Sequence, residues 1–230
     1  MILFYDLVGR DASRPFSPHC WKTRMALAHK GLPFETVPTP FTAVKTVEEG
    51  SERIVPVIRD GDTVVEDSFA IAEYLEEAYP DRPTLFGGEG GRAAARFVEA
   101  WSVKTIHPLV TGIALMDIFA MLDEPDKAHF RRTREARFGK PLEEVPCGAT
   151  PERIEALRTA LEPLRTTLAR QPFIGGAAPL FADYIVFGAL QWARVASPAS
   201  VLADGDPVAA WFERCLDLHA GAGRKVAAAA

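Results

Sequence analysis

Proline and glycine break this chain hard at one place, Pro80, Pro83 and the run Gly87-Gly88-Glu89-Gly90-Gly91. Gly and Pro are the strongest local punctuation a sequence carries. Before the break, short β-branched and aromatic runs alternate with amphipathic patterns; after it, only helical periodicities remain. That change of period predicts two units, an α/β domain over residues 1–80 and an all-α domain over residues 90–223. The full length of 230 residues is enough for one or two cores. No internal repeat is present.

In the first unit Ile2 to Leu7 reads as a buried strand, and Pro18 to Lys30 as a helix stopped by Gly31, the residue type favoured just past a helix end. Phe34 to Val37 reads as a second strand, and Pro40 to Ser51 as irregular or weakly helical. Val55 to Ile58 and Thr63 to Val65 read as short strands joined through Asp60-Gly61, a strong hairpin dipeptide, so they are expected to be antiparallel. Ile71, Tyr74, Leu75 and Ala78 lie at i, i+3, i+4 and i+7 within Phe69 to Tyr79, which predicts an amphipathic helix. The order is β-α-β-α-β-β-α. In the second unit Arg92 to Leu122 predicts a long helix, bent near Pro108 because proline removes a backbone donor. Pro125 to Phe138 reads as a polar helix. Glu152 to Arg170 reads as one helix carrying the stripe Ile154, Leu157, Leu161, Leu164 and Leu168. Ala182 to Ala193 is nearly all apolar, the mark of a helix buried on every side, and Pro207 to His219 closes the fold.

Composition narrows the partners. Lys and Arg number 26 against 31 Asp and Glu, for a formal net charge of −5; nucleic acid or an anionic membrane surface would call for a dense basic face. No apolar run reaches the roughly 18 residues of a membrane span, and the N-terminus opens on strand residues with no basic and apolar leader. The cysteines, Cys20, Cys147 and Cys215, are odd in number and far apart, and the five histidines are scattered. Neither a disulfide framework nor a zinc pattern is expected. A cytoplasmic protein with free thiols and no metal is the expectation.

The chemistry-bearing stretch of the first unit is Phe16-Ser17-Pro18-His19-Cys20-Trp21-Lys22-Thr23-Arg24. Proline suits the first helical turn, which puts Ser17 at the helix N-terminus. Two readings stay open from these residues alone: Ser17 is an N-cap accepting from backbone N–H groups, or the same N–H groups and the helix dipole stabilise an anion beside its hydroxyl. Asp67-Ser68 opens the Phe69 to Tyr79 helix with the same ambiguity between cap and anion site. Cys20 reads as a small buried apolar residue, with a reactive thiol as the alternative. At about 100 degrees per residue His19 and Trp21, two positions apart, cannot face the same side of the helix, and they are expected at the surface or an interface.

The element order, Val55-Pro56 ahead of a strand, the hairpin, Asp67-Ser68 followed by Ile71-Ala72-Glu73-Tyr74-Leu75, and Phe181-Ala182-Asp183 opening a buried helix together resemble the cytosolic glutathione transferase superfamily. Ser17 to Arg24, Phe130 to Phe138 and Pro141-Leu142-Glu143-Glu144-Val145 look like its bacterial β-aryl etherase branch and the fungal etherase-like relatives. The resemblance spans the whole chain. It implies a thioredoxin-like N-terminal domain, an all-α C-terminal domain and an active site in the cleft between them. It implies glutathione as co-substrate, a hydrophobic electrophile such as an aryl ether, and a homodimer. Ser17 is then the hydroxyl aimed at the glutathione sulfur, and it activates without attacking. Val55 pairs with the extended tripeptide, held by a cis bond to Pro56. Asp67 and Ser68 receive the γ-glutamyl end. Other readings of the same site are a glutathione-dependent isomerase, a thiol reductase working through Cys20, or a binding protein without turnover. Trp101, His107 and Met116 lie on the helix that lines the electrophile pocket in this superfamily, though such a stripe is more often core. One departure is Leu180, where the family places Ser or Thr to complete a capping box with Asp183.

Overall fold

The computed structural model describes residues 1–50 and 53–230. Strand β1, Ile2–Leu7, is followed by helix α1, Pro18–His29, and strand β2, Phe34–Thr39; a 3-10 segment, Phe41–Glu49, then leads to strands β3, Val57–Asp60, and β4, Thr63–Glu66, and helix α2, Ser68–Ala78. The sheet order is β2-β1-β3-β4, with β1 parallel to β2 and antiparallel to β3. Gly61 takes φ +59 at the first turn residue of the β3–β4 hairpin, a conformation open to glycine at no steric cost. β3 begins at Val57, two residues later than the expected start; the Val55-Pro56 bond ahead of it is cis.

The second half is helical: α3, Glu89–Trp101; α4, His107–Met121; α5, Glu124–Phe138; α6, Pro151–Ala160; α7, Glu162–Leu168; α8, Phe181–Ala196; and α9, Pro207–Gly221. α3 runs into α4 through a π-helical turn at Ser102–Ile106, where the N–H of His107 reaches back five residues to the carbonyl of Ser102. Such π turns are a known way to break the regular ladder, and this one sits directly ahead of Pro108, whose ring supplies no donor. The bend expected near Pro108 is therefore a change of helical hydrogen bonding over the preceding turn. The continuous run Glu89–Met121 is long and apolar enough to cross a membrane by length and composition alone, contrary to the reading from apolar runs; here its buried residues Ile106, Val110, Ile113 and Ala114 belong to the protein core. The single helix expected over Glu152 to Arg170 is two. Leu161 (φ −84, ψ 2) ends α6, and Pro163 cannot donate across the junction. The stripe survives the break: Leu157, Leu161 and Leu164 are all buried.

α8 is the central post of the molecule, buried along nearly its whole length as its apolar sequence predicts. Its contact with α1 is backbone-close at Gly188, where a Cβ would lie 2.4 Å from the carbonyl oxygen of Pro18. Trp21 of α1 packs edge-on against Phe187 of α8 with ring centroids 5.9 Å apart, and donates its indole N–H to the carbonyl of Pro15 at 3.1 Å. Burying a large apolar side chain contributes about 1.5–3 kcal/mol, so this contact holds the N-terminus of α1, and with it Ser17, against the helical half. Trp21 is accordingly buried core at the α1–α8 contact; of the two places expected for it, surface or interface, it takes the second. At the start of α8 the missing serine or threonine of the capping box is offset: Asp183 accepts from the N–H of Leu180 at 3.0 Å and also from Ile174, Gly175 and the indole of Trp211.

Candidate active site

The cleft between α1, the loop before β3, and helices α4, α5 and α8 holds a cavity of about 350 Å³. Phe16, Ser17, Pro18, His19 and Val55 line it from the first half of the chain, and Val103, His107, Thr111, Leu115 and Trp192 from the second. Phe41, Phe130, Arg134 and Arg137 also line it.

Ser17 is the N-cap of α1, in extended conformation (φ −63, ψ 125), with its Oγ accepting from the N–H of Cys20 at 3.3 Å. Both readings of this residue are compatible: accepting at the oxygen leaves the hydroxyl hydrogen to donate. The N–H groups of the first turn have no intrahelical partner, and the positive end of the helix dipole lies beside an anion placed here. Cys20 is fully buried. Burial, and then the Asp6 carboxylate, push its thiol well above the usual range, so it stays protonated.

Val55 shares the cavity with Ser17; Pro56, Asp67 and Ser68 stand outside its lining. Asp67 caps α2 with Oδ1, which accepts from the N–H groups of Phe69 at 2.9 Å and Ala70 at 3.0 Å. Its φ of +71 is costly for a residue with a Cβ, and such strain clusters at ligand clamps. Ser68 is 1% exposed, and its Oγ has no hydrogen-bond partner among the described residues. A buried hydroxyl without a partner forfeits about 1–3 kcal/mol, and an incoming carboxylate at this helix N-terminus would restore it. Lys22, also fully buried, ties α1 to α3 by an ion pair with Glu99 at 3.0 Å; burial lowers its pKa, and Glu99 and then Asp67 oppose that shift.

His107, on the helix that the resemblance sets beside the electrophile pocket, and His19, expected at the surface or an interface, both face the cavity, their rings 5.1 Å apart edge to face. Trp101 and Met116 do not line it. Lys22 contacts Nδ1 of His19 at 3.2 Å; an ammonium can only donate, so the His19 proton lies on Nε2. The Nε2 of His107 is buried without a partner among the described residues. Burial, then the Lys22 charge, hold His107 down at about 3, and burial, Lys22 and His107 hold His19 well below its ordinary value. Both rings are neutral at pH 7. In the unfolded chain each takes up a proton near pH 6.5, so between there and the depressed folded value the unfolded state binds more protons and stability falls with acid. At pH 5 the loss attributable to His107 is at most about 2 kcal/mol. Urea midpoints at pH 7 and pH 5 are expected to show this drop, and His107→Gln to shrink it; an undiminished drop in that variant would mean the ring is not held neutral.

Among the described residues no group of three or more His, Cys, Asp or Glu side chains could hold a metal ion. The sequence signal for the arginines was present but unspecific, since Arg134 and Arg137 sit one turn apart on a helix that reads as solvated.

Comparison with known proteins places this geometry. The N-terminal domain model of glutathione S-transferases matches residues 12–83, and the C-terminal domain model matches residues 93–218. The chain belongs to the glutathione S-transferase family, and its co-substrate is glutathione. A glutathione S-transferase of Ceriporiopsis subvermispora, solved in complex with glutathione, superposes with a TM-score of 0.76 at 26% identity, over 97% of this chain and 94% of that one. The glutathione S-transferase-like protein ustS of Aspergillus flavus is 26% identical, covering 83% of this chain and 79% of its own. A maleylacetoacetate isomerase of Dictyostelium discoideum is 26% identical over 49% of this chain and 55% of its own.

Proposed function

We propose that this glutathione transferase works through Ser17, whose hydroxyl donates to the sulfur of bound glutathione and stabilises it as a thiolate. The observation that carries this reading is the position of Ser17: it caps α1 and at the same time forms a wall of the 350 Å³ cavity that also receives Val55. A hydrogen bond to the charged form, acting with the helix dipole, lowers a thiol pKa from about 8.5. The backbone of Val55, after which the chain turns through the cis bond to Pro56, pairs with the cysteinyl unit of the tripeptide. The Ser68 hydroxyl and the N-terminus of α2 receive the γ-glutamyl carboxylate, and Asp67 faces its ammonium.

The thiolate attacks an electrophilic carbon in the apolar part of the cavity. A sulfur–carbon bond forms, the bond from that carbon to the leaving group breaks, and the leaving group departs with the electron pair and takes a proton. With an aryl ether the leaving group is the aryl oxide. An isomerase reading, in which the sulfur–carbon bond forms and breaks again with glutathione returned, draws on the isomerase relative. The buried, protonated Cys20 speaks against a thiol reductase, because the thiolate is the reactive form. The homodimer that the resemblance implies would cover Phe97, which stands 75% exposed on α3.

The test is a titration of the bound glutathione thiol by its ultraviolet thiolate absorbance, alongside product analysis with chlorodinitrobenzene and a β-aryl ether. A thiol pKa below that of free glutathione, with glutathione consumed one for one into conjugate, supports transfer. An unshifted thiol, binding without turnover, or turnover that returns all the glutathione overturns it.

A further inference from the structure

We propose that Arg134 and Arg137 make this cavity selective for electrophiles carrying a carboxylate, which their guanidinium groups receive at the α5 side. The inference rests on the transferase reading above and names the substrate class of that site. Among the described residues, four side chains lining the cavity are basic, His19, His107, Arg134 and Arg137, and not one is a carboxylate. With both imidazoles held neutral by burial and by Lys22, the wall charge is that of the two guanidiniums.

Arg134 is held in place by aromatic faces: its guanidinium lies 4.5 Å from the Phe130 centroid and 5.7 Å from that of Phe41. Its one hydrogen bond within the described residues is from Nη1 to the hydroxyl of Thr133 at 3.1 Å, which leaves most of its five donors for another acceptor. Arg137, one turn further along, is exposed and has no ion pair among the described residues.

The local carboxylates are already committed. Glu135 and Glu143 both bind Arg131, at 3.0 and 2.6 Å, and Asp126 accepts from the backbone N–H groups of Phe41 and Thr42 at 2.7 and 2.8 Å. Arg134 therefore meets burial and the like charge of Arg137 with no ion pair among the described residues, and both push its pKa down. A guanidinium stacked on aromatic rings and presenting a planar fork is suited to bidentate binding of a carboxylate. The apolar remainder of the cavity, Val103, Leu115, Ile118 and Trp192, fits an aromatic or aliphatic body between that carboxylate and the sulfur at Ser17.

The experiment compares 4-chloro-3-nitrobenzoate with its carboxamide, which keeps the shape and removes the charge. Wild-type enzyme is expected to favour the benzoate in kcat/KM once the intrinsic reactivities are divided out, and R134Q/R137Q to reduce that preference about tenfold or more, the scale of one lost charged hydrogen-bond pair. The single variant R137Q, altered at an exposed position, is expected to show part of the effect without risk to the fold. An unchanged preference overturns the proposal. So does a rise in the KM for glutathione with the preference intact, which would mean the arginines hold the glycyl carboxylate of the tripeptide instead. Calorimetry with 3-nitrobenzoate, which has no leaving group, separates the two readings. If the glutathione-loaded protein binds it and R134Q/R137Q loses that binding, the carboxylate site stands even where transfer fails; equal binding by both proteins overturns the site.

Discussion

Replacing Ser17 with alanine is expected to cut kcat/KM for glutathione transfer by roughly 10- to 100-fold at neutral pH, the equivalent of losing one hydrogen bond to a charged group, about 1.5–3 kcal/mol. The same change is expected to raise the pKa of the bound glutathione thiol by about one to two units, since each unit corresponds to about 1.4 kcal/mol between the two protonation states. The signs are linked. Ser17 favours the charged thiolate, so its loss matters most where the thiol is only partly ionised, and the gap between variant and wild type closes as pH rises above the new pKa. Ser17→Ala also removes the cap on the Cys20 N–H, at about 1 kcal/mol of stability. Ser17→Thr keeps both the acceptor and the donor and is expected to recover most of the activity. A purely structural role for Ser17 would lower the melting temperature and leave the pH profile of kcat/KM where it was, and that outcome would sink the assignment.

Asp183→Asn is expected to be the most damaging conservative change to stability. Asp183 is fully buried and takes hydrogen bonds from the N–H groups of Ile174, Gly175 and Leu180 and from the indole of Trp211, all between 2.7 and 3.0 Å. Burial pushes its carboxyl upward, against the pull of those donors. An amide offers one oxygen in place of two and turns an NH₂ toward groups that can only donate. The loss is expected at about 3–5 kcal/mol, which at 2–4 °C per kcal/mol for a chain of this length is roughly 10 °C in Tm. Asp183 joins the loop before α8 to α9 and is not among the residues lining the cavity. The kcat of the fraction that remains folded is therefore expected to stay close to wild type, and a kcat loss larger than the unfolded fraction would show that α8 transmits the damage to α1 through the Gly188 contact.

Much of the frame could be read from residues alone because the signals are local. The short β-branched and aromatic runs of the first half, the hairpin at Gly61 and the proline and glycine stops place β1 to α2 within a few residues of where they lie. The long stripe from Ile154 to Leu168 misled, because an apolar face needs only spacing, and spacing persists across Pro163 while the hydrogen-bond ladder does not. His19 and Trp21 show a different limit. Their angular separation on α1 was legible, and they do diverge, but the side that faces a cleft is set by what packs there. Trp21 goes under α8 and His19 into the cavity. Arg134 and Arg137 sit on a helix whose sequence is polar throughout, and nothing local tells an arginine facing solvent from one laid over Phe41 and Phe130.

The sequence by itself determined the element order of the first half, the two helix starts that bear Ser17 and Asp67-Ser68, and a family resemblance that the domain models agree with. These follow from chain-local physics: caps, turns and the backbone preferences of proline and glycine. Only the tertiary structure decided which side chains share one cavity. Ser17, Val55, His107, Arg134 and Trp192 come from five separate stretches of chain, and what brings them together is the close approach of α8 to α1 at Gly188 and the packing of α4 and α5 around it. That convergence depends on how side chains interlock across the cleft, and no periodicity along the chain records it.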